Sequence, residues 1–296
     1  KKFKLMSFCH KNGNESLGYW LPESSKIVDL KLLSSKILPD LPVELIKLKY
    51  LLRNQKIFSA LLDQAKIDET SVLSEHNTTP RAVVPLDTKI IGVARNFWDP
   101  LNPNEIRPSH PIIFVKPSNT VIGPYDSTHL PHGDLKTVIE GEIGVIIGVT
   151  AKNVKVSEAS QYIFGFTSIN DLSDKSTTGM FDTFPLTLGK YFDGYLPCSS
   201  SLLVDPSYDF TNKNIKSYKN DNLVQNQSTK DMYFTIPELI SFISSYITLE
   251  PGDCILTGTP CYLEGQQNNY IMPGDVVQVE IEGLDPITTL ITEKQN

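Results

Sequence analysis

The sequence predicts an α+β protein that is mostly β, with a small α+β unit over residues 1–80 and a larger β-rich domain over residues 81–296. Three observations carry that prediction. The first eighty residues combine a hairpin signature with apolar residues at helical spacing. From about Asp87 the chain turns to short β-branched runs punctuated by Gly and Pro, among them TKIIGVA, PIIFVKP, DCILTGTP and DVVQVEIEG. One clear amphipathic helix interrupts those runs. At 296 residues the chain can bury a substantial core.

Taken in order, KLMSFCHKNGNESLGYWL reads as a hairpin with Asn12-Gly13 in its turn. LPVELIKLKYLL and KIFSALLDQAKI place Leu45, Leu48 and Leu52, then Ile57, Leu61 and Ala65, at helical intervals, predicting one or two amphipathic helices. The polar stretch DETSVLSEHNTTPRAVVP reads as a linker out of the small unit. In the β-rich part, TIPELISFISSYI is the helix. Thr235 and Glu238 make its capping box, and Leu239, Ile240, Ile243 and Ile247 its buried stripe. The turns EPGD (250–253) and MPGD (272–275) look alike, and each leads into a strand.

A formal net charge of −7 with no block of Lys and Arg argues against nucleic acid or an anionic membrane as partner. Apolar stretches are of strand length or broken by charges, so the reading includes neither a membrane span nor a signal peptide. The chain begins at Lys1 without Met, which leaves a trimmed leader open. Cys9, Cys198, Cys254 and Cys261 lack C-x-x-C spacing and read as reduced, structural thiols of a cytoplasmic protein.

The chemistry starts at VIEGEIGVII, residues 138–147. If this run is extended, Glu140 and Glu142 share one face with Val138, Gly144 and Ile146. Two like charges on a buried face cost on the order of several kcal/mol per uncompensated ion. Protons, a divalent cation, or solvent at an edge strand would relieve that cost. Asp171 closes the apolar run YIFGFTSIN and opens a polar loop, where it is either a displayed functional group or an Asx turn. Three carboxylates on a β scaffold suit Mg²⁺ or Mn²⁺, with Ca²⁺ also admissible, better than Zn²⁺.

In their order and rough spacing, the blocks IIGVARNFWDP, PIIFVKPSNTVIGP, IEGEIGVIIG, GFTSINDLS, GKYFDGYLP, TIPELISFISSYITLEPGDCILTGTP and MPGDVVQVEIEGL resemble the fumarylacetoacetate hydrolase family from about Asp87 to Glu282. The resemblance implies a catalytic domain of mixed β-sandwich or roll type and a homodimer. It implies Glu140, Glu142 and Asp171 as ligands of a divalent metal, Lys190 as the active-site cation, and Thr259 as a contact to a substrate carboxylate. Asn96 and Lys175 join Thr259 as substrate contacts. The implied substrate is a small 2-oxo or 2,4-dioxo acid, cleaved by hydrolysis or decarboxylation. Keto–enol tautomerisation, or a catalytically weakened binding protein, is the alternative.

Two departures from the family pattern bear on that choice. Pro100 stands where a water-activating histidine is usual, leaving Glu105 as the nearby catalytic candidate and His110 in a more structural position. Lys175 replaces a frequent arginine, a point charge in place of a bidentate clamp. The segment from Arg95 to Ile106, with Pro100 and Pro103, should be irregular.

Overall fold

The computed structural model describes residues 2–68, 70–74, 77–131, 135–177 and 188–293. Strands β1 (Phe3–His10) and β2 (Glu15–Leu21) form the predicted hairpin. In its turn, Asn12 Oδ1 accepts the Asn14 N–H at 3.1 Å and Gly13 takes a φ of 87°, a conformation open to glycine. Strand β3 (Lys26–Asp29) ends in Asp29, whose side chain accepts from Lys31 N at 2.8 Å and caps helix α1 (Leu30–Ile37). The sequence reading had no helix here, because eight residues beginning straight after a strand give little periodic signal. Helices α2 (Leu48–Arg53) and α3 (Gln55–Ala65) fall in the predicted stretches, burying Leu51, Leu52, Phe58 and Leu61. Leu45, assigned to the same stripe, lies in a 3₁₀ turn before α2 and is 40% exposed.

The stretch read as a linker carries two short strands, β4 (Val72–Ser74) on β3 and β5 (Thr78–Pro80) on β1. His76 and His132 lie outside the described residues. Beyond them come β6 (Ile90–Ala94), β7 (Ile112–Lys116), the short β8 (Val121–Ile122), β9 (Thr128–His129) and β10 (Thr137–Val138), then β11 (Gly141–Ile147) and β12 (Ile163–Asn170). After these follow β13 (Ser173–Asp174), β14 (Leu196–Pro197), β15 (Ser201–Val204), β16 (Asn214–Lys219) and β17 (Asn222–Ser228). Helix α4 (Ile236–Tyr246), β18 (Cys254–Leu256), β19 (Val276–Ile281) and β20 (Ile287–Thr292) complete the order.

The large sheet runs β4-β3-β2-β1-β15-β12-β11-β18-β6-β7, and a second sheet runs β17-β16-β19-β20-β9. The predicted mostly-β, α+β class holds. Between the sheets Ile143, Val145, Ile215, Val277 and Val279 pack with Leu239, Ile240 and Ile243 of α4. The α4 capping box forms as predicted: Glu238 Oε2 accepts from Thr235 N at 2.7 Å, and Glu238 N donates back to Thr235 Oγ1 at 3.4 Å. All four cysteines are unpaired thiols.

Strand β11 bears out the buried reading over the exposed edge strand: β12 and β18 pair with it on either side, and every residue of Gly141–Ile147 is buried. Ile143 and Val145 on one face and Ile146 on the other pack into apolar clusters, so Glu142 within the strand and Glu140 just before it are both buried.

Candidate active site

The antiparallel register of β11 on β12 builds the acidic centre. Gly141 pairs with Asn170, so Glu140 and Asp171 are the next residues out on the two strands. Asp171 N donates to Glu140 O at 2.8 Å, and Glu140 N donates to the Asn170 side chain at 3.0 Å, locking the two backbones together. Glu142 is reached from the other neighbour: beyond β18, Gly258 N donates to Glu142 Oε2 at 2.7 Å. Gly258 takes a φ of 94°, and a Cβ there would stand 2.7 Å from that of Asn96. The three carboxylates are buried, with one oxygen from each lying within 4.8 Å of the others.

Three lysines surround them. Lys190, in the 3₁₀ turn Leu188–Lys190, donates to Glu140 Oε2 at 2.6 Å and Asp171 Oδ2 at 2.5 Å, and its Nζ sits 4.7 Å from the centre of the Phe114 ring. Gly189 before it permits the approach, since a Cβ there would strike the Asp174 carbonyl oxygen. Lys175 Nζ lies 2.7 Å from Glu140 Oε1. Lys116 was missed in the sequence. It ends β7 with a side chain 0% exposed, donates to Tyr195 O at 2.8 Å, and lies 2.9 Å from Asp171 Oδ1.

These charges set the protonation states. Burial opposes ionisation of Glu140, yet Lys175 and Lys190 hold its carboxyl down to about 2. Burial and the Asp171 charge push Glu142 well above the ordinary carboxylate range, the Glu140 charge adding to both. Burial also disfavours the Lys190 ammonium, but Asp171, Glu140 and Glu142 outweigh it and hold Lys190 above its usual value. For Lys116 burial wins, and its value is lowered despite Asp171.

Glu140, Glu142, Lys175 and Lys190 line a cavity of about 290 Å³ together with Arg95, Glu105, Phe114, Gln225, Thr259 and Tyr262. The structure thus brings most of the sequence-predicted residues to one wall. Asn96 is placed differently. Its amide donates to Phe234 O at 3.0 Å and Thr257 O at 2.8 Å and accepts from Phe234 N at 2.8 Å, so it ties loops together behind the cavity. Thr259 Oγ1 accepts from Gln225 Nε2 at 2.9 Å, and Gln225 Oε1 in turn accepts from Ser217 Oγ at 2.6 Å. Nothing in the polar strand NLVQNQS distinguished Gln225. The Arg95–Ile106 segment is irregular, as its prolines predict, and Glu105 in it is ion-paired with Arg95. His110 stacks on Phe242 of α4 with ring centroids 6.0 Å apart, and no described histidine lines the cavity.

The residues present fit a hard divalent cation. The donors are carboxylate oxygens, and Asp171 Oδ1 is buried without a hydrogen-bond partner, its approach to Lys116 lying off a hydrogen-bonding direction.

Fold and site together define a class: a mixed-β framework with a buried carboxylate centre on the wall of a cavity. The chain belongs to the fumarylacetoacetate hydrolase family, since residues 89–292 match the family model described as Fumarylacetoacetate (FAA) hydrolase C-terminal. Among its relatives, a mitochondrial oxaloacetate tautomerase of Rattus norvegicus is 36% identical over 210 residues, 70% of this chain and 67% of that protein. A 5-carboxymethyl-2-hydroxymuconate delta-isomerase from Mycobacterium smegmatis has the same fold (TM-score 0.74, 22% identity, 99% of this chain and 100% of that one). So does maleylpyruvate hydrolase from Sphingobium sp. SYK-6, solved with manganese(II) and pyruvate (TM-score 0.76, 22% identity, 99% and 100%). Among the described residues no helix is long and apolar enough to cross a membrane.

Proposed function

We propose that the protein is a divalent-metal-dependent tautomerase that interconverts the keto and enol forms of a small 2-oxo acid. The observation that carries this reading is the pairing of a buried Glu140–Glu142–Asp171 centre with a cavity whose described lining holds no histidine. Hydrolysis needs an activated water, whereas tautomerisation needs an electrophile and a group that carries a proton. Bound at the three carboxylates, Mg²⁺ or Mn²⁺ supplies the Lewis acidity that favours an enolate.

The chain's own residues do the rest. Lys190, held cationic by its carboxylate neighbours, presents an ammonium toward the oxygen that gains charge on enolisation. Glu105 is the described carboxylate on the cavity wall outside the acidic centre; it takes the proton from C3 and delivers it to the C2 oxygen, and in the reverse direction takes it from the enol hydroxyl and returns it to C3. Thr259, fixed by Gln225, offers its hydroxyl to the substrate carboxylate. The cavity, near the lower end of the range for ligand sites, admits a molecule of a few heavy atoms.

The test is to follow acetylpyruvate cleavage and oxaloacetate keto–enol exchange side by side with Mn²⁺ present. Exchange well above the uncatalysed rate with little cleavage is the expected result. Fast cleavage without exchange would overturn the proposal in favour of a hydrolase.

A further inference from the structure

Two cations on the described cavity wall, Lys175 and Arg95, have no part in that scheme. Arg95 follows β6 with a φ of 54°, a left-handed conformation that a non-glycine residue holds at a cost of roughly 1–3 kcal/mol. The next residue keeps it there, because Asn96 O accepts from Tyr233 N at 2.7 Å and the Asn96 amide is tied to Phe234 and Thr257. The Arg95 side chain is 55% exposed, and its Nη2 donates to Glu105 Oε1. That bond engages one prong of the guanidinium, and the remaining N–H groups match a second carboxylate.

The charges around the cavity point to what that carboxylate belongs to. Three carboxylates face three ammonium groups at the acidic centre, and Arg95 cancels Glu105, so the wall is formally neutral. A divalent cation brings it to +2. A monoanionic 2-oxo acid leaves +1, whereas a dicarboxylic one restores neutrality. Of the cavity's more exposed cations, Lys175 is bound to Glu140, a buried member of the acidic centre, while Arg95 is bound to Glu105, a partly buried carboxylate outside that centre.

Resting on the reading of the site as one for 2-oxo acids, we propose that Arg95 binds the second carboxylate of a dicarboxylic substrate and makes the chain selective for dianions. Glu105 positions the guanidinium through Oε1 and keeps its other oxygen for the proton.

Oxaloacetate and 2-oxobutanoate test this, because they differ by a carboxylate in place of a methyl group. Dissociation constants are measured by calorimetry on the full chain with Mn²⁺, and C3 proton exchange is followed by NMR in D₂O. The wild type is expected to bind oxaloacetate about tenfold or more tighter than 2-oxobutanoate. Arg95→Met should weaken oxaloacetate by about 10- to 100-fold and leave 2-oxobutanoate within about twofold. Arg95→Lys, which keeps the charge without the fork, should fall between. Equal losses for both acids in both variants, or unchanged oxaloacetate binding, would overturn the inference even if both acids are enolised. Selective loss of oxaloacetate binding in a protein that enolises neither acid would uphold it and overturn the tautomerase reading.

Discussion

A lysine with no exposed side-chain surface is tolerated when its charge is answered, and Lys116 is answered by Asp171 and two backbone carbonyls. Lys116→Met should therefore destabilise the metal-free protein by roughly 3 kcal/mol, because Lys190 then answers Asp171 alone and the three buried carboxylates face two lysines instead of three. Adding Asp171→Asn should recover part of the loss, read as a positive coupling in urea titrations. A strictly additive double variant would show that the pair does not interact. The same centre predicts that Mn²⁺ raises the melting temperature of the wild type and not of Glu142→Ala, because a ligand of the folded state stabilises by mass action. Equal rises in scanning fluorimetry would remove Glu142 from the cation's ligands. Glu140 and Glu142 were legible in the sequence because like charges inside an apolar run demand a counter-charge. Lys116 was not, because a lysine closing the strand IIFVK reads as the polar end of an exposed edge. Its burial depends on Leu172 and Tyr195, more than fifty residues away in the chain.

The two PGD turns show how a local signal becomes an element. In each, the aspartate N–H closes the turn onto residue i, and glycine at the third position takes a φ of 94° or 95°, the geometry of a type II turn after proline. The aspartate side chain then reaches back to the first N–H of the turn, Asp253 to Glu250 and Asp275 to Met272, both at 2.7 Å. For Asp275, burial opposes ionisation, but the Met272 N–H, the Asn220 amide and Lys219 outweigh it and hold the carboxyl below its ordinary value. A depressed carboxyl stabilises the fold above its unfolded value, near 3.9, and that contribution is lost as pH falls through the lower folded value. Asp275→Asn should therefore cost about 1–2 kcal/mol at neutral pH and progressively less below about pH 4. A difference that stays constant down to pH 2 would rule out the ionised carboxylate as its source. The turns, the capped helix α4 and the first hairpin were readable because each is fixed by residues within a few positions of one another. Strands β4 and β5 were hidden in polar sequence, since their places at the margin of the sheet come from β3 and β1 rather than from their own composition.

At the scale of the whole molecule, the sheet joins what the sequence divided near residue 80. Strand β1 pairs with β15, Phe3 opposite Val204 and Leu5 opposite Leu202, a contact across some two hundred residues that leaves no local trace in the sequence. The apolar cluster behind it mixes the two parts: Leu5, Leu33, Leu51 and Phe58 pack in one core with Ile146, Ile169, Leu202 and Leu256. Removing the first eighty residues would strip that core from one side and expose the β15 edge. A shared core and a shared sheet couple the two parts energetically, so the N-terminal residues should unfold with the catalytic region in one transition. The two tryptophans make this measurable. Trp20 lies on β2, and Trp98 is 41% exposed on the irregular segment after β6, so Trp98→Phe removes little packing and leaves Trp20 as sole reporter of the first eighty residues. In that variant, urea titrations followed by Trp20 fluorescence and by far-ultraviolet circular dichroism, which averages over the whole chain, should have the same midpoint. A fluorescence midpoint well below that of the dichroism would mean that residues 1–80 come apart from the sheet first, and that the β1–β15 ladder contributes too little to bind the two parts into one cooperative unit.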